Sequence, residues 1–438
     1  MINYFNGYIL FPLLELLSKR EILPKLNQLK AFEIQPIDIR HVEQREELYK
    51  LLVHCQKNIP YYKELFNDLA FEPEKVKEDI YYLKKLPVLT KKTIKENAGK
   101  LKFKQGGYLH PRKTGGSTGE SVFFYYDRKG LDWTSAINLF AYEMARKKPH
   151  HSDCHISADL DLNPPPLKHR AKDWIKLLSQ NRKRLLVSSF APIELKKAYK
   201  DLKRMRPYLL QGHPSSLYAI SSYIENNKLS PIKLCHIFEP SGEMLTQKMV
   251  ESIEKNIQCK VVNRYGNAEF GVIAHSKFND NYTKLKVFDR AFFVEECKDS
   301  NIIVTGLTNY GFPLLRYDTG DIGTVKEEED GHYIYNIQGR VHDLVRIGSE
   351  EFPTHYIMDF LDHKVKDIRE FQILLTNDDQ RPLLNIVLEK DTEEERVKNE
   401  IKSKWGNDMR LEFIPYESLI RQGWRQKFRH LIDLRKSV

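Results

Sequence analysis

Apolar positions in the first hundred residues recur with a helical period. In "REELYKLLVHCQKNIPYYKELF" the period holds until Pro60, whose ring cannot continue the hydrogen-bond ladder. "LPVLTKKTIKENAG" carries a helix start with Thr90 as N-cap. From about 120 to 330, strand and helix patterns alternate. "VFFYY" has strand character, and "APIELKKAYKDLKRM" is helical with Pro192 in its first turn. "EMLTQKMVESIEKNI" is again helical, while "KVVNRYG" and "NIIVTGL" suit buried strands. The alternation predicts α/β architecture, with β-sheets flanked by helices. A polar, turn-rich stretch, "QGRVHDLVRIGSEEFP", follows. Beyond it the pattern runs helix ("THYIMDFLDHK"), two strands ("EFQILLT", "LLNIVLEK"), helix ("TEEERVKNEIKSKWG") and strand ("RLEFIPY"). That is a compact α+β unit of roughly a hundred residues. The predicted organisation is a large α/β domain over 1–338, mostly helical over 1–100, and a small α+β domain over 339–438.

The first twenty residues, "MINYFNGYILFPLLELLSKR", stand apart. Pro12 and Glu15 interrupt an apolar run too short and too polar for a membrane span. The basic start and small-residue cleavage site of a signal peptide are missing. An amphipathic helix packed on the large domain is expected, with peripheral membrane contact as the alternative.

Composition narrows the class. At 438 residues, 41% hydrophobic and 30% charged, the chain suits a globular protein of two or more domains. The net charge of +10 is interspersed, as in "ELKKAYKDLKRMR", so it describes a solvated basic surface. No nucleic-acid motif accompanies it, and no nucleic-acid partner is expected. Cys55, Cys154, Cys235, Cys259 and Cys297 are scattered without a C-x-x-C pair, which argues against disulfides or zinc and for a reducing, cytoplasmic setting. Either a monomer or a homodimer is compatible with the sequence.

Candidate chemistry begins at "HPRKTGGSTGESVFFYYDR". The glycine-rich part, Thr114, Gly115, Gly116, Ser117, Thr118 and Gly119, matches neither G-x-x-x-x-G-K-[ST] nor G-x-G-x-x-G. Its glycines and hydroxyls nevertheless suit an anion. Turn chemistry alone selects the same residue types.

Four further stretches follow in order. "EPSGEML" holds Ser241, Gly242 and Glu243, and "VNRYGNAEFGVIA" holds Tyr265, Gly266, Ala268 and Glu269. "LRYDTGDIG" holds Asp321, "GRVHDLV" holds Arg340 and His342, and "RQGWRQKFRHL" holds Lys427. This ordered set resembles the adenylate-forming superfamily of acyl-CoA synthetases, luciferases and adenylation domains. It is most similar to the branch of phenylacetate–CoA ligases and capsule-biosynthesis adenylating enzymes.

The resemblance implies an ATP-dependent, AMP-forming acid ligase with a small mobile C-terminal domain. It implies that Thr114–Gly119 grips the β- and γ-phosphates, since charge moves onto the leaving pyrophosphate. Tyr265 would stack on adenine, with Ser241, Gly242, Glu243 and Gly266 lining the same pocket. Glu269 would hold Mg2+ among phosphate oxygens, as a hard cation requires. Asp321 would accept from the ribose hydroxyls, with Arg340 beside it. Lys427 would bridge the acid carboxylate and the α-phosphate as a mobile point charge. His342 stands at the hinge, near 340–343, where many relatives have aspartate; glutamine precedes Lys427 where glycine is usual. Trp133, Tyr142, His213 and Ala268 are candidates for the acid pocket, although core packing accounts for the aromatics equally well. The acyl acceptor implied by the family is coenzyme A. An amine or hydroxyl acceptor, AMP transfer to a hydroxyl, and a degenerate binding protein are the alternatives.

Overall fold

The computed structural model describes residues 1–103, 105, 107–113, 122–157, 167–187, 190–297, 300–340, 344–422 and 427–436. The chain forms two compact units. One contains Met1–Asp153, Leu167–Arg182 and Lys260–Ile337; the other contains the described residues of Cys154–Pro166, Lys183–Cys259 and Gln338–Val438.

In the first unit, helix Ile37–Asn58 buries Leu48, Leu51, Leu52 and Cys55, the i, i+3, i+4, i+7 stripe of an amphipathic helix. Ile59, preceding a proline, is extended, and Pro60 opens the next helix, Pro60–Asp68. The Thr90 hydroxyl caps Lys91–Asn97 by accepting from the Thr93 N–H at 3.2 Å. Buried Gln44 donates to the carbonyls of Asp289 and Phe292, both at 2.9 Å, and so fixes the long helix to a sheet.

That sheet has seven strands, in the order Phe292–Glu296, Asn301–Gly306, Tyr317–Glu328, Gly331–Arg340, Leu285–Val287, Gly271–His275, Arg264–Asn267. Its described pairings are antiparallel. The alternation of strands and helices expected up to 330 therefore ends much earlier. Among the described residues, no helix lies between 264 and 340. The connections there are too short for a crossover helix, which a parallel pair would need. The two-residue turn Glu329–Asp330, with Gly331 opening the next strand ahead of the alternating "HYIYNIQ", is the sequence feature that marks the Tyr317–Glu328 and Gly331–Arg340 hairpin.

In the second unit, Leu209–Gly212 and Ile237–Pro240 pair in parallel and are buried throughout. Helices Pro192–Met205, Pro214–Asn226 and Gln247–Ile257 belong to the same unit. Its C-terminal part carries a four-stranded sheet in the order Arg410–Phe413, Leu383–Leu388, Ile368–Leu375, Leu431–Asp433. Helix Glu394–Trp405 supplies Val397, Ile401 and Trp405 to a core shared with Ile373, Leu384 and Ile386. The predicted helix–strand–strand–helix–strand order after residue 353 is present, followed by the short strands Arg421–Gln422, Lys427–Phe428 and Leu431–Asp433. Lys248 ties the earlier part of the unit to this sheet through Glu389 at 2.6 Å.

Candidate active site

Two stretches flagged in the sequence meet in the first unit. Tyr265 lies on Arg264–Asn267, and Thr319 and Asp321 lie on Tyr317–Glu328. The Tyr265 hydroxyl is 2.9 Å from Asp321 Oδ2 and 3.2 Å from Thr319 Oγ1. A phenol has one proton, and the charged acceptor makes the stronger bond, so Asp321 receives it. Thr319 in turn donates to the Ile302 carbonyl at 2.8 Å and accepts from the Asp321 N–H at 3.2 Å. Burial first, and then the negative charge of Asp321, hold the Tyr265 phenol well above its ordinary pKa. The phenol is therefore a donor at neutral pH.

Glu269 sits in the turn after that strand and is buried. A buried carboxylate needs donors. Tyr317 supplies one, its hydroxyl 2.7 Å from Glu269 Oε1, while the Tyr126 hydroxyl donates to the Glu269 carbonyl. Gly266 has a packing reason of its own. A Cβ there would lie 2.1 Å from the Gly271 carbonyl oxygen, at a register shift between the two paired strands. Only glycine lets the strands approach at that bulge.

Three of the acid-pocket candidates also lie in this unit. Trp133 is buried, with Lys25 Nζ 5.9 Å and Arg290 Cζ 5.0 Å from its ring centroid. The Tyr142 hydroxyl accepts from Arg182 at 2.8 Å, and Arg182 forks onto Asp153 at 2.6 and 3.1 Å. Ala268 is half-buried beside Glu269.

The fourth candidate, His213, belongs to a separate cluster in the second unit. Its Nδ1 is 3.0 Å from the Ser241 carbonyl, a bond only a protonated Nδ1 can make, and 3.5 Å from Glu243 Oε1. Glu243 accepts two backbone N–H bonds, from Ser215 at 3.2 Å and from Phe428 at 2.7 Å. Phe428 follows Lys427 in a hairpin whose register pairs Gln422 with Lys427 and Arg421 with Phe428. Gln372, fully buried, holds both arms of that hairpin: its amide donates to the carbonyls of Ile420 (2.8 Å) and Arg429 (2.9 Å), and its oxygen accepts from the Ile420 N–H.

Arg421 lies over the Phe190 ring at 3.4 Å, and its Nε and Nη2 atoms are buried without a hydrogen-bond partner among the described residues. Burial lowers its pKa, and Glu243 and Tyr416 counteract that fall. Gly242 is exposed with φ of 80°. Arg340 ends the strand Gly331–Arg340. Thr114, Gly115, Gly116, Ser117, Thr118, Gly119 and His342 lie outside the described residues. Among the described residues, no group of three or more His, Cys, Asp or Glu side chains is placed to hold a metal.

Sequence reasoning assigned no role to Gln372, Arg421 or Tyr317. A glutamine inside the apolar run "EFQILLT" was the available signal for the first.

No protein-family model matches the chain. It is 26% identical over 445 aligned positions to Protein CapK of Staphylococcus aureus, covering 94% of this chain and 95% of the relative. Its fold is that of 2-hydroxyisobutyryl-CoA ligase in the postadenylation state with an acyl-AMP bound, at a TM-score of 0.70 and 18% identity, covering 92% of this chain and 91% of that one. These similarities are consistent with the adenylate-forming superfamily that the ordered motif set resembles. A shorter stretch, 144 positions at 26% identity, is similar to indoleacetate–lysine synthetase of Pseudomonas savastanoi, covering 33% of this chain and 36% of the relative.

Proposed function

We propose that the protein activates a carboxylic acid with ATP and passes the acyl group to a second substrate, with coenzyme A as the acceptor. In the first step an acid oxygen bonds to the α-phosphorus. The α–β bridging bond breaks, and pyrophosphate leaves with the electron pair. In the second step the acceptor bonds to the acyl carbon, AMP departs, and the acceptor's proton is released.

The observation that carries this reading is the hydrogen-bonded set Tyr265–Asp321 and Glu269–Tyr317, formed from separate motif stretches. Asp321 would accept from a ribose diol, with Tyr265 orienting its carboxylate. Glu269 would give one carboxylate to Mg2+, which fits a cation that takes its other oxygens from phosphate and water. When bound, that cation would neutralise phosphate charge. Lys427 would place its ammonium between the acid and the α-phosphate, on a hairpin held by Glu243 and Gln372. Thr114–Gly119 would donate to the departing phosphates, and His342 would serve as the hinge.

The match to an indoleacetate–lysine synthetase favours a second reading for the acceptor, an amine that yields an amide. ATP–pyrophosphate exchange across a library of acids tests the first step, and exchange with no acid in the library would overturn it. Mass analysis of products formed with coenzyme A or lysine then distinguishes thioester from amide.

A further inference from the structure

The N-terminal segment folds inside out. Residues 2–17 are helical, with a π-helical section Asn6–Leu10 just before Pro12, where a wider turn tolerates the missing N–H. Its fully buried side chains are polar, although Phe11 packs partly buried against the core. Asn6 and Glu15 are buried. Asn6 Nδ2 donates to Asn181 Oδ1 at 3.0 Å, and Asn181 donates back to the Asn3 carbonyl at 2.9 Å. Glu15 Oε1 accepts from the Leu23 N–H at 2.7 Å. Gly7 is pressed against Pro149, whose carbonyl oxygen would lie 2.4 Å from an added Cβ.

The side it turns outward is apolar. Ile2 (73%), Leu16 (74%) and Leu17 (71%) are among the most exposed large hydrophobics, joined by Phe5, Ile9 and Leu13. A helix of a globular protein normally turns such a stripe to the core. Here the polar anchors forbid the rotation that would bury it.

The surroundings indicate what covers this face. Helix Leu167–Ser179 packs against the π-helical section and exposes Trp174 (63%), together with Arg170, Lys172 and Lys176. Tyr4 stacks on His150 at 4.0 Å, next to exposed Lys148. At the other end, Arg128 donates to the carbonyls of Ser18 and Lys19. Glu15, the single acidic side chain among the first twenty residues, points inward. Apolar side chains, interfacial aromatics and a basic rim are what an anionic bilayer surface selects. No helix among the described residues is long and apolar enough to cross a membrane.

We propose that this face, residues 2–17 with the exposed side of Leu167–Ser179, docks the protein on anionic lipid bilayers. The alternative left open by the sequence thus becomes the favoured one, because the apolar stripe points away from the core.

The test is co-sedimentation of the full chain with vesicles of phosphatidylcholine and phosphatidylglycerol (two to one) or of phosphatidylcholine alone. Binding is expected on the anionic vesicles, weakened by salt, and reduced about tenfold or more in Ile9→Asp/Leu16→Asp. Lys172→Glu/Lys176→Glu should reduce it separately, while the circular-dichroism melt of both variants matches the parent. Failure to bind anionic vesicles, or equal binding by the variants, would overturn the proposal. So would a dimer in sedimentation velocity that the Ile9→Asp/Leu16→Asp change dissociates while vesicle binding is absent, since the face would then belong to a second copy. Acid-dependent pyrophosphate exchange is independent of either outcome.

Discussion

At Asp321 and Glu269 the donors are tyrosine hydroxyls from neighbouring segments of a sheet; at Glu243 they are the backbone N–H groups of Ser215 and Phe428. Side-chain donors can be removed one oxygen at a time, leaving the strands intact. Backbone donors cannot, so those two bonds are removed only through the carboxylate itself. The first arrangement orients carboxylates within a fixed sheet. The second uses a carboxylate to fix the course of a chain, and that chain carries Lys427. Residues of the first type should govern how ligand is held, and Glu243 should govern where Lys427 is.

The largest test of that division is Lys427→Ala. Acid-dependent exchange should fall by about 10²–10³-fold, the scale for losing one charge stabiliser, while stability changes by about 0.5 kcal/mol or less. Unchanged exchange would remove Lys427 from the chemistry. Glu243→Ala comes next. It leaves two backbone donors unmet, at about 1–3 kcal/mol, and should lower exchange about tenfold by releasing the Lys427 strand. Glu243→Gln keeps one acceptor oxygen and turns its NH2 toward the other N–H, so it should recover only part of both; equal behaviour of the two variants would mean that the charge, not the acceptor, matters. Tyr265→Phe should cost about 1 kcal/mol in denaturant unfolding and act on KM for ATP more than on kcat. An effect on kcat alone would assign Tyr265 a role beyond orienting Asp321.

The smallest effect concerns His332, buried against Asp289 with its Nδ1 3.0 Å from Asp289 Oδ1. Burial pulls the imidazole pKa down, but the bond to Asp289 and its charge outweigh this and leave it raised. A raised pKa means that the folded state binds the proton more tightly. The contribution is complete below the unfolded histidine value near 6.5 and is lost as pH rises through the folded value. Urea midpoints of the parent should therefore fall between pH 6 and pH 8.5 by more than those of His332→Gln. Parallel slopes would show that the pair contributes nothing.

Much of the helical half and the C-terminal order was legible because it rests on local rules. Pro60, Thr90 and Pro192 mark their boundaries through backbone chemistry that no tertiary contact overrides. The strand–helix alternation was carried to 330 because short apolar runs such as "KVVNRYG" and "NIIVTGL" do not show whether a helix or another strand comes next. Tyr265, Glu269, Tyr317, Thr319 and Asp321 were recognisable as motif residues, yet their pairing was not, since it joins stretches about fifty residues apart through the sheet. Gln372 was invisible for the same reason: its partners, Ile420 and Arg429, lie 48 and 57 residues away. The N-terminal segment misled through its composition, because an apolar stripe reads as core until Asn6 and Glu15 are seen to occupy the inner side.

That last feature bears on how the protein is handled. Removing residues 1–18 to improve solubility would also strip the Asn181 side chain of its partners at Asn3 and Asn6 and the Leu23 N–H of its acceptor, Glu15. The body beneath would be left with raw polar sockets, so a trimmed chain would trade a sticky surface for a frayed one. Substituting the outward residues singly keeps the plug in place, and a mild detergent or a lipid nanodisc in the purification buffer suits the unaltered chain better than a shorter reading frame.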